Sequence, residues 1–163
     1  MDNHSEQLLA HLLRSRRVAA LGTLRDGAPF VSLVVFAVSA DFSAFYLHLS
    51  RLAVHTRDIL QDPRVSLMLA EEDADFDRDP QTLARVSLQG VAEELPRGHE
   101  DYAAVQALYL ARFPDAAVNF RLADFSLFRI RPNRARYVAG FGKIFNLQPH
   151  HFTDAAQANP PDV

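Results

Sequence analysis

Cysteine is absent from this chain of 163 residues, and positive charge is not in excess. Without thiols the chain can form neither a disulfide nor a zinc–thiolate site, and it has no cysteine nucleophile. Its 17 lysines and arginines against 20 aspartates and glutamates give a formal net charge of -3, which argues against a dedicated nucleic-acid-binding protein. No apolar run approaches the roughly 20 residues that span a bilayer, so we expect no membrane partner. The N-terminus mixes charges with leucines, unlike a secretory signal, and we expect a cytoplasmic protein.

Internal repeats and long Pro/Gly/Ser linkers are also missing, which favours a single domain. The composition, 48% hydrophobic and 23% charged, is typical of a globular protein. Leucines at helical spacing after Ser5 predict an amphipathic helix over residues 5–16. We therefore divide the chain into an N-terminal helix at 1–16, a main domain at 17–147 and a C-terminal tail at 148–163. Residues 155–163 of that tail are expected to be frayed.

Between these ends, short segments alternate apolar and polar side chains, the period of a half-buried strand. Asp26-Gly27 is a strong hairpin signal. In "FYLHLS", residues 45–50, the odd-numbered side chains would face the core, leaving His48 and Ser50 on the opposite face. Six or seven such strands with three helices do not suit a parallel doubly wound sheet. They predict a mainly β (α+β) fold, an antiparallel barrel whose openings or one side are covered by helices.

The stretch "YLHLSRLAVHTRDI", residues 46–59, passes from a strand into a helix and carries several anion-binding side chains. Free N–H groups and partial positive charge at a helix start favour anions, and Arg51, His55, Thr56 and Arg57 are candidate donors. The alternative is that Ser50 or Thr56 only caps the helix while the arginines lie in water. Spacing alone leaves both interpretations open.

Three further segments carry weaker signals. "GFGK", residues 140–143, lacks the full pattern of a phosphate-binding glycine loop and could equally mark a close backbone approach. His150-His151 could ligate a metal or a haem iron, or could simply be exposed. The acidic loop "EEDADFDRDP" lacks the glycine and the glutamate that an EF-hand requires, so we predict no metal site there. No arrangement of residues suggests a hydrolase.

Taken together, two motifs carry a family resemblance. "YLHLSRLAVHTRDILQDPRVSLML" followed by "RVSLQGVAEEL" resembles the FMN-binding split-barrel family of pyridoxamine 5'-phosphate oxidase. The later "FRIRPNRARYVAGFGKIFNL" is similar to the branch that includes haem-utilisation proteins of the HugZ type. The resemblance covers residues 17–147. It implies a six-stranded antiparallel split barrel that forms a homodimer, with FMN in clefts at the subunit interface and a small-molecule substrate.

The resemblance also implies a set of cofactor-binding residues. The loop after the third strand and the following helix start would hold the FMN phosphate, the second strand would lie along the flavin, and the late glycine segment would lie near it. The implied residues are Ser50, His55 and Thr56 for the phosphate, Ser32, Leu33 and Val34 of the second strand, and Gly142 and Lys143 of the glycine segment. Arg85, on the polar face of a later strand, matches a position where family members use Gln. Asp58 departs from the Asn that is common in this branch, and a carboxylate facing a phosphate would repel it.

Three functional hypotheses follow from the resemblance. The first is an FMN-dependent oxidoreductase acting on a small substrate, although the second strand and the C-terminal segment lack the arginine motifs of true pyridoxamine-phosphate oxidases. The second is a haem-binding or haem-degrading protein, supported by "YVAGFGKIFNL" and by His150-His151. The third is a non-catalytic cofactor-binding module, for which Asp58 and the missing arginine of the second strand are the main arguments. No general acid or base is assigned, because in the first hypothesis the flavin performs the chemistry.

Overall fold

The structure is a computed structural model that describes residues 1–158. Within that range, eight strands form one curled antiparallel sheet with four α-helices around it. The strands are β1 (Val18–Arg25), β2 (Ala28–Val35), β3 (Ala37–Val38), β4 (Phe45–Ser50), β5 (Arg64–Ala70), β6 (Arg85–Leu95), β7 (Phe125–Val138) and β8 (Ile144–Leu147). The helices are α1 (Asn3–Ser15), α2 (Val54–Gln61), α3 (Tyr102–Arg112) and α4 (Pro149–Ala156), with 3-10 helices at Pro80–Thr82 and Pro114–Arg121. In the part of the chain described, no helix is long and apolar enough to cross a membrane.

The sheet runs in the order β2-β1-β5-β6-β7-β4-β3, with β8 added beside β7. Because β2 also contacts β4, the two ends of the sheet approach one another and form a split barrel. The predicted fold class, a mainly β split barrel with flanking helices, is confirmed. The strand count differs from the predicted six, because a break at Phe36 separates the two-residue β3 from β2 and the chain after the glycine segment folds back as β8.

The sequence Arg131-Pro132-Asn133, which reads as a turn, lies inside the continuous strand β7. Gly90 of β6 pairs with Pro132 while Gln89 pairs with Arg134, so one residue of β7 is bulged out between them. A bulge accommodates a proline that cannot donate a ladder hydrogen bond. A Cβ on Gly90 would lie 2.5 Å from the carbonyl oxygen of Arg131, so only glycine allows the two strands to approach this closely.

The main core lies inside the curl of the sheet, where α1 and α4 close one side. Its centre consists of inward-facing side chains that are fully buried, among them Leu21, Leu47, Leu67 and Leu88. Helix α1 begins after Asp2, whose carboxylate accepts a hydrogen bond from the backbone N–H of Ser5 at 2.9 Å. The helix therefore begins at Asn3, before the predicted start at residue 5, and Asp2 is its N-cap.

Part of the expected C-terminal tail is ordered. Residues 149–156 form α4, whose Phe152 and Ala155 are fully buried, and Arg14 of α1 donates to the Ala156 carbonyl at 2.7 Å. Frayed structure was expected from residue 155 onward, and Ala155 instead belongs to the packed helix. Residues 159–163 lie outside the described range, so the expectation of fraying stays untested there.

A second core covers the outer side of β4. Helix α3 and the 3-10 helix after it pack on the face that carries Tyr46 and His48, so β4 is buried on both sides. The imidazole of His48 is stacked on the Phe120 ring, with centroids 3.7 Å apart and planes 6° apart. Burial, together with repulsion from Arg97, lowers the pKa of His48 to about 4. His48 therefore lies in a core as a neutral side chain, contrary to the half-buried strand that alternation predicted.

Candidate functional site

The outer face of the sheet, which α3 and the 3-10 helix cover around β4, is exposed along β2, β1 and β5. Along β2, Val31 and Leu33 are 65% and 73% exposed, and Val35 beside them is also exposed. The register places Leu33 opposite Ala20 of β1, and Ala20 opposite Met68 of β5. Exposed apolar side chains that are contiguous across strands mark an interaction surface more often than scattered ones do. We refer to these five residues as the apolar strip.

Further across the same face, the surface becomes cationic. Arg134 and Arg136 of β7 point outward, two residues apart. The Nε of Arg134 donates to Oε1 of Gln89 at 2.6 Å, and Nη1 of Arg136 donates to Oδ1 of Asn146 at 2.7 Å. Both guanidinium groups are therefore held in place by neutral amide oxygens. The outer face combines an apolar half with a positively charged half.

Two grooves lie on this face. The first has a volume of about 500 Å³ and the second about 400 Å³, within the range of small-molecule sites. Ser66, Gln89 and Arg134 line both grooves, so the two are continuous around the Gln89–Arg134 pair. The first groove extends toward β1 and β2, where its walls are mainly apolar. The second extends toward β8 and the start of α4.

Helix α4 begins at the rim of the second groove, because Gln148, its N-cap residue, lines that groove. The backbone N–H of Gln148 donates to Nδ1 of His151 at 3.0 Å. A neutral imidazole that accepts at Nδ1 carries its proton on Nε2, so His151 has no free lone pair for a metal ion. His150 is exposed beside it, with ring centroids 4.0 Å apart, and its imidazole makes no hydrogen bond within residues 1–158. Only the ring of His150 is free to act as a ligand.

The residues predicted to hold a phosphate lie elsewhere, around α2. The Ser50 hydroxyl donates to the carboxylate of Asp124 at 2.8 Å and accepts from the backbone of Leu52. Thr56 is fully buried, and its hydroxyl has no hydrogen-bond partner among residues 1–158. The helix start at Ala53 has no side-chain cap, so the alternative in which Ser50 or Thr56 caps α2 is also not observed.

Asp58 of α2 is a buried carboxylate in this region. It is only 3% exposed, and its carboxylate accepts from the hydroxyl of Thr23 at 3.0 Å and from Nε of Arg25 at 3.3 Å. The pKa of the half-buried His55 is lowered, chiefly by burial, and the nearby Asp58 carboxylate partly offsets that effect. Neutral His55 offers little attraction to an anion. The Asp58 carboxylate thus already accepts hydrogen bonds from Thr23 and Arg25. With a carboxylate on them, these two side chains do not fit a phosphate group.

The remaining predicted residues are spread over the barrel. Ser32 is half-buried with an unpaired hydroxyl among residues 1–158, Leu33 belongs to the apolar strip, and Val34 is buried in the main core. Arg85 lies on the outer face, where its Nη1 donates to the carbonyl oxygens of Gln81 and Leu83 at 3.0 Å each. Of these four residues, Leu33 and Arg85 share the face that carries the grooves.

Gly142 and Lys143 form the tight turn between β7 and β8. Gly140 and Gly142 have positive φ values of 125° and 74°, which explains the glycines by backbone conformation. The Nζ of Lys143 lies 3.5 Å from the Asp2 carboxylate, which ties the turn to the N-terminus. Ser50 pairs with Phe125, the first residue of β7, whereas Gly140 lies just beyond Val138, the last residue of β7. Within one chain, these two predicted segments are therefore at opposite ends of a 14-residue strand and do not come together.

No group of three or more His, Asp or Glu side chains in residues 1–158 is placed to hold a metal ion. In the acidic loop that follows β5, Arg78 instead pairs with Glu71 at 2.7 Å. That pair orders the base of the loop without a cation.

The chain therefore folds as a split barrel whose outer face is part apolar and part cationic. The model of the pyridoxamine 5'-phosphate oxidase family matches residues 5–139, and the chain belongs to that family. The resemblance to its haem-utilisation branch is confirmed as well.

Relatives of this chain have haem-related names. The chloroplastic heme oxygenase HOZ of Arabidopsis thaliana is 42% identical over 123 residues, covering 74% of this chain and 35% of the relative. The heme oxygenase HutZ of Vibrio cholerae is 27% identical, covering 94% of this chain and 87% of the relative. A solved heme binding protein from Mycobacterium smegmatis is 30% identical with a TM-score of 0.80, covering 94% of this chain and 61% of that one. The chain thus spans only part of the Arabidopsis and mycobacterial proteins.

These names overturn the leading prediction. An FMN-dependent oxidoreductase was the first hypothesis, and it is wrong, because the relatives are named for haem and not for a flavin. The internal Asp58 contacts give a physical reason that agrees with this correction. Sequence reasoning missed Arg134 and Arg136, although their alternate positions in a strand place both on one face. The two-residue spacing of Arg134 and Arg136 is the feature of the sequence that could have identified them.

Proposed function

We propose that this chain binds haem on the outer face of its sheet and belongs to a haem-degrading oxygenase. The observation that carries this proposal is the second groove, which is lined by Arg134 and Arg136 and by Gln148, two residues before the exposed His150. A porphyrin needs an apolar surface for its ring, cationic groups for its carboxylates and an axial ligand for its iron. The donor set of this face fits those three requirements.

Each part of this face would have a separate role in binding haem. His150 would ligate the iron, because its ring nitrogens are free while Nδ1 of His151 is occupied by the Gln148 N–H. The apolar walls of the first groove would cover the ring and exclude water. When bound, haem supplies the oxygen chemistry itself, and in an oxygenase it is also the substrate. The protein binds and orients the ring and keeps the cationic edge in place.

We also infer that the chain functions as a homodimer. The apolar strip is exposed in one copy, and a second copy would cover it. Dimerisation would complete the walls of the grooves, which are open to solvent on the side away from the sheet. The sequence-based expectations of a cytoplasmic protein that binds no nucleic acid remain predictions.

Hemin titration of three proteins tests this function. Wild type and His151→Ala should both develop a shifted Soret band, because His151 only caps α4. His150→Ala should lose the band or weaken binding by about tenfold or more, as expected for loss of an axial ligand. His151 is the matched control, since it is the adjacent imidazole on the same helix. A band that depends on His151 and not on His150 would contradict the ligand assignment.

Turnover is a separate readout. Addition of ascorbate in air to the hemin complex should bleach the Soret band and produce a linear tetrapyrrole that absorbs at longer wavelength. The same mixture without oxygen should keep its band. A stable band in air would leave haem binding intact and overturn the oxygenase part of the proposal.

A further inference from the structure

Arg134 and Arg136 differ from their neighbours on β7 in how their charges are balanced. Arg129 pairs with Glu93 and Asp101 at 2.9 and 2.7 Å, and Arg131 pairs with Glu93 at 3.1 Å. In the described part of the chain, no carboxylate lies within 4.0 Å of Arg134 or Arg136. Both therefore keep a full positive charge on a protein whose net charge is -3.

The two guanidinium groups are nevertheless held in place. Gln89 on β6 and Asn146 on β8 flank β7 and accept from Arg134 and Arg136, respectively. An amide oxygen orients a guanidinium without neutralising it, and the remaining N–H groups stay available. Gln89 and Asn146 are therefore positioning residues, because they act on a ligand only through the arginines.

The spacing also limits what can bind. Residues two apart on one face of a strand are separated by roughly 7 Å. Arg134 lines both grooves and Arg136 lines the second, next to the small or apolar Ser66, Ala135 and Leu147. A ligand that satisfies this surface carries two anionic groups a few ångströms apart on one edge of a flat apolar body.

We propose that Arg134 and Arg136 form a dicarboxylate anchor that binds both carboxylates of a porphyrin, with Gln89 and Asn146 keeping the two charges uncompensated. This proposal rests on the proposed function, because it assigns the orientation of the porphyrin at the same site. Each guanidinium would donate charge-assisted hydrogen bonds to one carboxylate, and the lining of the grooves would hold the ring.

The anchor is tested by removing charge from either partner. Hemin and hemin dimethyl ester share ring and iron, but the ester lacks both carboxylate charges. In absorbance titrations, wild type should bind hemin about tenfold or more tightly than the ester, as expected for two charge-assisted bonds. The double variant Gln89→Glu/Asn146→Asp places a carboxylate of similar shape beside each arginine. It should lose the roughly tenfold preference for hemin and bind the ester as tightly as wild type does.

Arg131→Ala is the matched control, because Arg131 lies on the same strand but is already paired with Glu93. It should keep the preference for hemin over the ester. Equal affinity of wild type for both compounds would overturn the anchor while leaving haem binding in place. A wild type that binds neither compound would overturn the proposed function together with the anchor. An unchanged preference in the double variant would refute the role of the neutral amides.

Discussion

Mild acid should destabilise this protein through one buried histidine, His48. The residue is 6% exposed, and its imidazole is stacked on the Phe120 ring and contacts the rings of Tyr109 and Phe125. In the folded state burial and Arg97 lower its pKa to about 4, against 6.5 for an unperturbed imidazole. Because the folded pKa is the lower one, the unfolded state takes up the proton first as the pH falls.

The magnitude follows from that difference. Each pKa unit corresponds to about 1.4 kcal/mol, so the full shift lowers the free energy of unfolding by about 3 kcal/mol. The contribution of His48 is intact above pH 6.5, is lost progressively as the pH falls toward 4, and is mostly gone by pH 4.5. Because a typical domain is stabilised by about 5–15 kcal/mol, that loss is between about a fifth and about three fifths of the total.

The assay compares urea unfolding of wild type and His48→Phe at pH 7.5 and pH 4.5. Phenylalanine keeps the ring stacked on Phe120 but cannot be protonated. Wild type should lose about 2–3 kcal/mol more than the variant between the two pH values. The imidazole resonances of His48 should also titrate well below pH 6. Equal losses in the two proteins, or a His48 that titrates near 6.5, would refute this reasoning.

Three other predictions concern the fold and the outer face. Leu33→Glu places a charge in the exposed apolar strip and should shift a homodimer toward monomer in light scattering, whereas an unchanged mass would contradict dimerisation through this face. Gly90→Ala should destabilise the protein by about 1–3 kcal/mol in thermal or urea unfolding, because its Cβ would meet a backbone oxygen at 2.5 Å. Gly98→Ala, which meets nothing within 4 Å, should have little effect, and equal losses would count against the bulge. Asp58→Asn should cost about 1–3 kcal/mol in urea unfolding, because Arg25 loses its charged partner, and a neutral result would show that this pair contributes nothing.

The family motifs and the alternation of side chains were sufficient to predict the barrel. Asp26-Gly27 forms the β1–β2 turn as predicted, with φ values of 51° and 80°. Alternation failed at His48, since a two-residue period shows which residues share a face but not what covers that face. Here the 3-10 helix that carries Phe120 covers it. Residues 131–133 were misread because Arg-Pro-Asn has turn composition, whereas pairing with Gly90 holds the segment in a strand.

The candidate site was less predictable than the fold. His150 and His151 were recognised as possible haem ligands, but only the hydrogen bond from Gln148 distinguishes one ring from the other. The role proposed for Arg134 and Arg136 depends on their hydrogen-bond partners on β6 and β8, which are 45 and 10 residues away in sequence. The electrostatic role of Asp58 likewise depends on Thr23, 35 residues away. Contacts of this kind are set by tertiary packing, and local patterns do not contain them.

The most direct test of the haem assignment is the Soret spectrum of the purified chain with one equivalent of hemin, recorded for wild type and for His150→Ala. The account predicts a shifted, saturable band in wild type that His150→Ala loses. A wild-type spectrum identical to that of free hemin would contradict it.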